Sequence, residues 1–296
     1  MDIRPLKRTK KIKVKRQSRR RPVNVLASVM TTISLYLGMA SIFASIGQEF
    51  EKAALFILLA MFFDACDGTV ARLTNSVSEF GKELDSLCDM VSFGVAPAVL
   101  VFMAYLPEWG HLPLSPRAES LVGKTGSYMA SIYVICASLR LARFNIYQAD
   151  RRDSFTGLPS PAAGGTLATF VLFLDYFEPR LENYALGPLA YYALGPAAVI
   201  LALLMVSTVR YPKDRFKSFV LSPRHAFGVL VFCIVAIPVI HYAATTSPYI
   251  VLFPLSVTYV MFGIGDTIYT RYLLQPAPVR ADGARTQESE SSGKPS

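Results

Sequence analysis

The sequence predicts an all-α polytopic membrane protein with about eight transmembrane helices. Two properties of the whole chain point there: 52% of its 296 residues are hydrophobic, and its mean hydropathy is +0.38, both beyond an ordinary soluble domain. The third observation is local. The apolar residues gather into eight runs, most of them close to the ~20 residues that cross a hydrocarbon core of about 30 Å. These runs leave no room for a soluble second domain. Residues 23–272 therefore read as one membrane domain between a basic arm, 1–22, and a polar tail, 273–296.

The first run, 25–46, is longer than the apolar stretch of a cleaved signal peptide and has no convincing cleavage site, so it is expected to remain as a span. The second and third, 51–72 and 83–105, flank a short polar and acidic segment. Residues 106–122, with Pro107, Pro113 and Pro116, are expected to form the longest outer loop. The fourth run, 125–146, ends among arginines. The stretch 147–161 that follows cannot be helical throughout, because Pro159 and Pro161 forbid it. The fifth run, 162–178, is the shortest; 189–209, 225–244 and 248–271 complete the set, with a basic inner loop over 210–224. From Pro276 the chain turns to Ser, Gly, Pro, Glu and Arg and is expected to be disordered. No internal repeat is strong enough to suggest an inverted-repeat transporter.

Charge sets the orientation. Residues 1–22 hold eleven Lys/Arg and one acid, a net +10 against +9 for the whole chain, so the remainder is close to neutral. A basic arm joined directly to a span fits the anionic headgroups of a cytoplasmic leaflet, at about 1 kcal/mol per basic residue, better than it fits nucleic acid. With the N-terminus inside, only Lys52, Arg117, Lys124 and Arg180 of the 30 basic residues lie outside, as positive-inside bias requires. An even span count then puts both termini in the cytoplasm, and the polar turn between spans two and three with them. The four cysteines, Cys66, Cys88, Cys136 and Cys233, all sit in spans without CxxC spacing and read as small buried hydrophobes.

At that polar turn stand four acids. They lie in Asp64-x-x-Asp67-Gly68-x-x-Ala71-Arg72, then eight residues, then Gly81-x-x-x-Asp85-x-x-x-Asp89. Ionisable groups at membrane depth are costly and by default mark function. On helices, Asp64 and Asp67 share one face, and Asp85 and Asp89 share another. Four converging negative charges call for a cation, and aspartate oxygens suit a hard divalent one, two ions rather than one. A purely structural cluster paired with Arg72 and Lys82 fails on charge, since two bases do not neutralise four acids with Glu79 and Glu83 beside them. Paired cations suit a pyrophosphate substrate. Gly68 and Gly81 would let a ligand approach the backbone closely, and Arg72 offers phosphate a planar, permanent charge.

At eight defined positions over 26 residues this pattern resembles the signature of the CDP-alcohol phosphatidyltransferase family. The resemblance implies a helical membrane core in which a CDP-linked lipid gives its phosphatidyl group to a small alcohol and CMP leaves. It implies two divalent ions, Mg2+ or Mn2+, the first held by Asp64, Asp67 and Asp85, the second by Asp64, Asp85 and Asp89, with Asp89 also the general base. Gly68, Arg72, Ser78 and Gly81 would contact the CDP-lipid, and a homodimer in a bacterial inner membrane would be expected.

Three segments, Ser86 to Ala98, Ser138 to Asn145 and Phe155 to Ala163, are similar to the membrane-embedded bacterial phosphatidylserine synthases within that family. That likeness implies CDP-diacylglycerol as donor and L-serine as acceptor. The carboxylate of serine asks for a cation, and Arg140 and Arg143 lie one turn apart at the inner end of the fourth span, with Asn145 beside them. Those arginines also satisfy positive-inside bias without any pocket. Ser92 and Ser160 are further candidate donors, although a helical serine often bonds its own backbone. Other acceptors (glycerol 3-phosphate, an inositol phosphate, choline) or an ether-lipid donor remain open within the family. Outside it, an ion-coupled transporter would need carboxylates near mid-membrane and internal repeats.

Overall fold

The computed structural model describes residues 25–73, 79–105, 116–147, 155–181, 191–207, 209–211 and 249–272. Among these, the chain forms eight α-helices, one π-helical turn and one two-stranded ladder. Helices α1 (Val25–Ile46) and α2 (Phe50–Leu73) make a hairpin closed by three residues. Gln48 takes a φ of 67° at the turn, and the Gly47 and Glu49 N–H groups donate to the carbonyls of Phe43 and Ala44, both at 2.9 Å, satisfying the open end of α1. Ala53, Ala54, Ile57 and Ala60 form the buried stripe of α2. Small side chains there let neighbouring helices approach closely, the usual means of association in a membrane.

The third apolar run is not one regular helix. It comprises α3 (Glu79–Asp89), a π-helical turn (Met90–Val95) and α4 (Ala96–Tyr105). A π turn widens the helix and displaces its hydrogen bonds, and bonds to two neighbouring helices hold this one. The Tyr133 hydroxyl donates to the Phe93 carbonyl at 3.1 Å, and Ser92 Oγ donates to the Ser34 carbonyl on α1 at 3.0 Å. Gly38 on α1 makes room, since a Cβ there would lie 2.6 Å from Ser92 Oγ.

Helix α5 (Pro116–Tyr147) starts earlier than the outer loop expected over 106–122 allows. Proline at a first helical position needs no N–H partner and has its φ preset, so Pro116 begins a helix here and does not break one. Strands β1 (Phe155–Thr156) and β2 (Arg210–Tyr211) pair antiparallel, with Phe155 opposite Tyr211. Gly157 follows at a φ of 91° and donates its N–H to the Val209 carbonyl at 2.8 Å. A Cβ at that residue would collide with the Met205 carbonyl, so only glycine fits.

Helix α6 (Ser160–Leu181) is buried without a break from Ala163 to Thr169. It packs against α2, α7 (Leu194–Val206) and α8 (Tyr249–Tyr272). Phe170 stacks on Phe253 of α8 with ring centroids 4.6 Å apart, the Thr169 and Ser256 hydroxyls meet at 3.1 Å, and the Tyr249 hydroxyl donates to Glu51 at 2.7 Å.

Among the described residues, four helices are long and apolar enough to cross a membrane: Ser28–Ile46, Phe50–Val70, Phe80–Tyr105 and Ser120–Ile146. The expected runs 162–178, 189–209 and 248–271 fall on α6, α7 and α8, while 225–244 lies outside the described residues. The apolar stretches of α7 and α8, Leu194–Val206 and Tyr249–Gly265, are shorter. α6 is wrapped by other helices over its first half, so its residues Thr166 and Thr169 face protein.

Candidate active site

Helix α1 packs against both α2 and α3 and so holds their acidic faces together. One carboxylate oxygen from each of Asp64, Asp67 and Asp85 lies within 4.8 Å of the other two. Asp89 lies one turn further along α3, within electrostatic reach of the Asp64 carboxyl. Asp67 is the most enclosed, at 5% exposure, and Thr31 Oγ1 donates to its Oδ2 at 2.6 Å. The others are half-buried.

Gly68 stands beside this cluster, and a Cβ added there would meet nothing within 4 Å. Gly81 is half-buried on α3, one turn before Asp85. Arg72 belongs to the last turn of α2, but its side chain, like the whole of Ser78, lies outside the described residues.

The acceptor candidates are spread over several contacts. Arg140 is 8% exposed, donates to Ser160 Oγ at 2.8 Å and lies over the Phe144 ring, 5.4 Å from its centroid. It also stands within electrostatic reach of Asp89. Arg143 is turned to the end of α7, donating to the carbonyls of Val206 at 2.8 Å, Met205 at 3.2 Å and Ser207 at 3.3 Å. A guanidinium there also complements the negative end of the helix dipole. Asn145 pairs with Ser86 on α3, its Nδ2 donating at 3.0 Å. Ser92 is fully buried in the π turn and bonded to α1. Arg140 is thus the candidate brought nearest the acids, and Ser160 joins it.

Three positions had no signal in the sequence. Thr31, Ser34 and Tyr133 are ordinary residues of apolar helices, and only the packing of α1 and α5 against the acidic segment makes them neighbours of the site.

The converging oxygens of Asp64, Asp67 and Asp85, the open space beside Gly68 and the buried Arg140 guanidinium gather where α2 and α3 meet α1 and α5. The family model for CDP-alcohol phosphatidyltransferase matches residues 24–210, a stretch that includes all four acids and both arginines. The chain belongs to the CDP-alcohol phosphatidyltransferase family. Its relatives include the CDP-diacylglycerol–serine O-phosphatidyltransferase of Helicobacter pylori strain J99, 35% identical over 197 residues, which are 64% of this chain and 73% of that protein. The enzyme of the same description from Bacillus subtilis strain 168 is 34% identical over 190 residues, 64% of this chain and 91% of its own. The archaetidylserine synthase of Methanothermobacter thermautotrophicus is 34% identical over 192 residues, 64% of this chain and 70% of its own. CDP-alcohol phosphatidyltransferases are divalent-metal-dependent enzymes, and the oxygen-only donor set of Asp64, Asp67 and Asp85 fits such an ion. Helix α8 of this phosphatidyltransferase lies beyond the matched residues.

Proposed function

We propose that this phosphatidyltransferase uses CDP-diacylglycerol and L-serine to make phosphatidylserine and CMP. The observation that supports the reading most directly is the meeting of Asp64, Asp67 and Asp85 within 4.8 Å, in a chain whose relatives are named for transfer to serine. Asp64, Asp67 and Asp85 would hold one Mg2+ or Mn2+, and Asp64, Asp85 and Asp89 a second. Bound there, such ions would supply positive charge to the pyrophosphate and to the departing CMP phosphate. The chain's own groups do the rest. Gly68 and Gly81 leave the backbone open to the CDP headgroup, and Arg72 and Ser78 bind its phosphates. Asp89 takes the proton from the serine hydroxyl as that oxygen bonds to the lipid-side phosphorus and the bond to CMP breaks. Arg140 receives the serine carboxylate, with Ser160 fixing the guanidinium plane, while Arg143 and Asn145 tie α5 to α7 and α3. The archaetidylserine relative keeps an ether-lipid donor as the second reading.

The test is release of CMP by the purified protein, given CDP-diacylglycerol, Mg2+ or Mn2+, and a panel of alcohols. L-serine should stand out; preference for glycerol 3-phosphate, inositol phosphate or choline would overturn the acceptor.

The two arginines should separate kinetically. A charge-assisted contact to a carboxylate contributes about 1.5–3 kcal/mol, so Arg140→Ala should raise the KM for serine by roughly 10- to 150-fold. Serinol, which lacks the carboxylate, should already be a poor acceptor and lose little more. Arg143→Ala should lower thermal stability and affect both alcohols alike. Equal losses for serine and serinol in Arg140→Ala would remove Arg140 from the acceptor pocket.

We place the enzyme in a bacterial inner membrane, as a homodimer crossing it eight times per chain, with the basic arm against anionic lipids and both termini in the cytoplasm. The distribution of Lys and Arg supports the cytoplasmic placement of the arm and both termini. In protein whose native cysteines are replaced, single cysteines at Ser78, Arg151 and Arg215 should react with an impermeant reagent only in inverted vesicles. Labelling of Ser78→Cys from outside intact cells would put the acids on the wrong face.

A further inference from the structure

We infer that Thr31 is a positioning residue for the metal-binding carboxylate of Asp67. The inference rests on the metal reading above and adds to it a residue from a third helix. Thr31 is 6% exposed, and its Oγ1 reaches from α1 to Asp67 Oδ2 at 2.6 Å, 36 positions along the chain. Its neighbour Thr32 turns the other way and donates to the Ser28 carbonyl of its own helix at 2.8 Å. The same backbone bond, four residues back, is made by Thr69, Thr125, Thr166, Thr258 and Thr267. That bond is the ordinary use of a helical threonine hydroxyl; the cross-helix bond of Thr31 is a different use.

Its consequence is geometric. A carboxylate has two oxygens and rotates about one bond. A donor held on Oδ2 fixes the plane and leaves Oδ1 directed, so Asp67 meets an ion without first losing rotational freedom. The hydroxyl also offsets part of the repulsion that Asp64 and Asp85 impose on Asp67 at this range. Groups that orient ligands in this way typically alter metal affinity by about 10- to 100-fold when removed. α1 thereby acts in the site without supplying a ligand, which is why an aspartate pattern confined to α2 and α3 does not point to it.

The experiment is a Mn2+ titration of purified, substrate-free protein followed by electron paramagnetic resonance, with thermal unfolding in chelator measured in parallel. Thr31→Val keeps the buried shape and removes the hydroxyl, and should weaken Mn2+ by about 10-fold or more with little change in unfolding temperature. Thr31→Ser should restore affinity, and Thr32→Val should leave it as in the wild type. In an Asp67→Asn background, Thr31→Val should have no further effect. Thr31→Ala provides a second hydroxyl-free variant should the valine not fold. Wild-type affinity in the folded hydroxyl-free variant overturns the inference while leaving the metal site standing. Equal weakening by Thr31→Ser also overturns it, assigning the effect to packing. Absence of Mn2+ binding by the wild-type protein overturns both the inference and the metal reading beneath it.

Discussion

Asp85→Asn should abolish turnover at every serine concentration, and Asp64→Asn should match it. Each of these carboxylates is proposed to serve both cations, so one substitution removes a ligand from two ions at once. The positive charge at the pyrophosphate contributes several kcal/mol of transition-state stabilisation, which at 1.36 kcal/mol per decade is a loss of about 10³-fold or more in kcat/KM. Chelation of the wild-type enzyme should give the same result, reversed by Mg2+ or Mn2+, whereas no concentration of either should rescue Asp85→Asn. Stability should move the other way. Without a cation, Asp64, Asp67 and Asp85 repel one another within 4.8 Å, so replacing one by its neutral isostere should leave thermal stability in chelator unchanged or raised. The measurements are CMP release and a melting curve on the same preparations. A folded Asp85→Asn protein that remains fully active in chelator would end the two-metal proposal.

The site was legible in the sequence where one helix suffices to describe it. Asp64 and Asp67 at i, i+3 and Asp85 and Asp89 at i, i+4 must each share a face once their segments are helical, however the helices pack. The hydrophobic runs on either side then place both faces near one end of two neighbouring spans, and the structure brings three of those acids within 4.8 Å. What needed coordinates is the register between helices. Hydrophobic periodicity tells which side of α1 is buried but not that Thr31 stands level with Asp67. Nor does it separate Arg140 from Arg143: they are one turn apart on α5, yet one meets Ser160 and the other the last carbonyls of α7. The π turn at Met90–Val95 was likewise hidden. Its sequence is as apolar as a regular span, and what holds it is the Tyr133 hydroxyl from α5 and the notch at Gly38 of α1. The 147–161 stretch is not helical throughout, as its prolines require, with α6 starting only at Ser160, but the pairing of 155–156 with residues 210–211 depends on a partner some fifty residues away, beyond any local signal.

Asp89→Asn should separate chemistry from binding. Asp89 is proposed to hold one cation rather than two and to accept the proton of the serine hydroxyl. Its place supports the role of proton acceptor, because it follows Asp85 by one turn and lies within electrostatic reach of Asp64 and of Arg140. A serine whose carboxylate lay on Arg140 would carry its hydroxyl only two carbons from that contact. Asparagine keeps the shape and can still offer an oxygen to an ion, but it cannot take a proton. Loss of a general base lowers kcat by about 10²- to 10⁴-fold. Affinity for CDP-diacylglycerol should fall less than in Asp64→Asn, where both ions lose a ligand. The same logic sets a limit on substrate rescue: raising serine should not restore the rate, because the defect lies in the proton transfer and not in acceptor binding. Steady-state kcat for the Asp89→Asn and Asp64→Asn proteins, together with calorimetric titration of each with CMP and Mn2+, distinguishes the cases. If Asp89→Asn keeps its kcat and loses only nucleotide affinity, Asp89 is a ligand alone, and the proton of serine must leave by another group or by water.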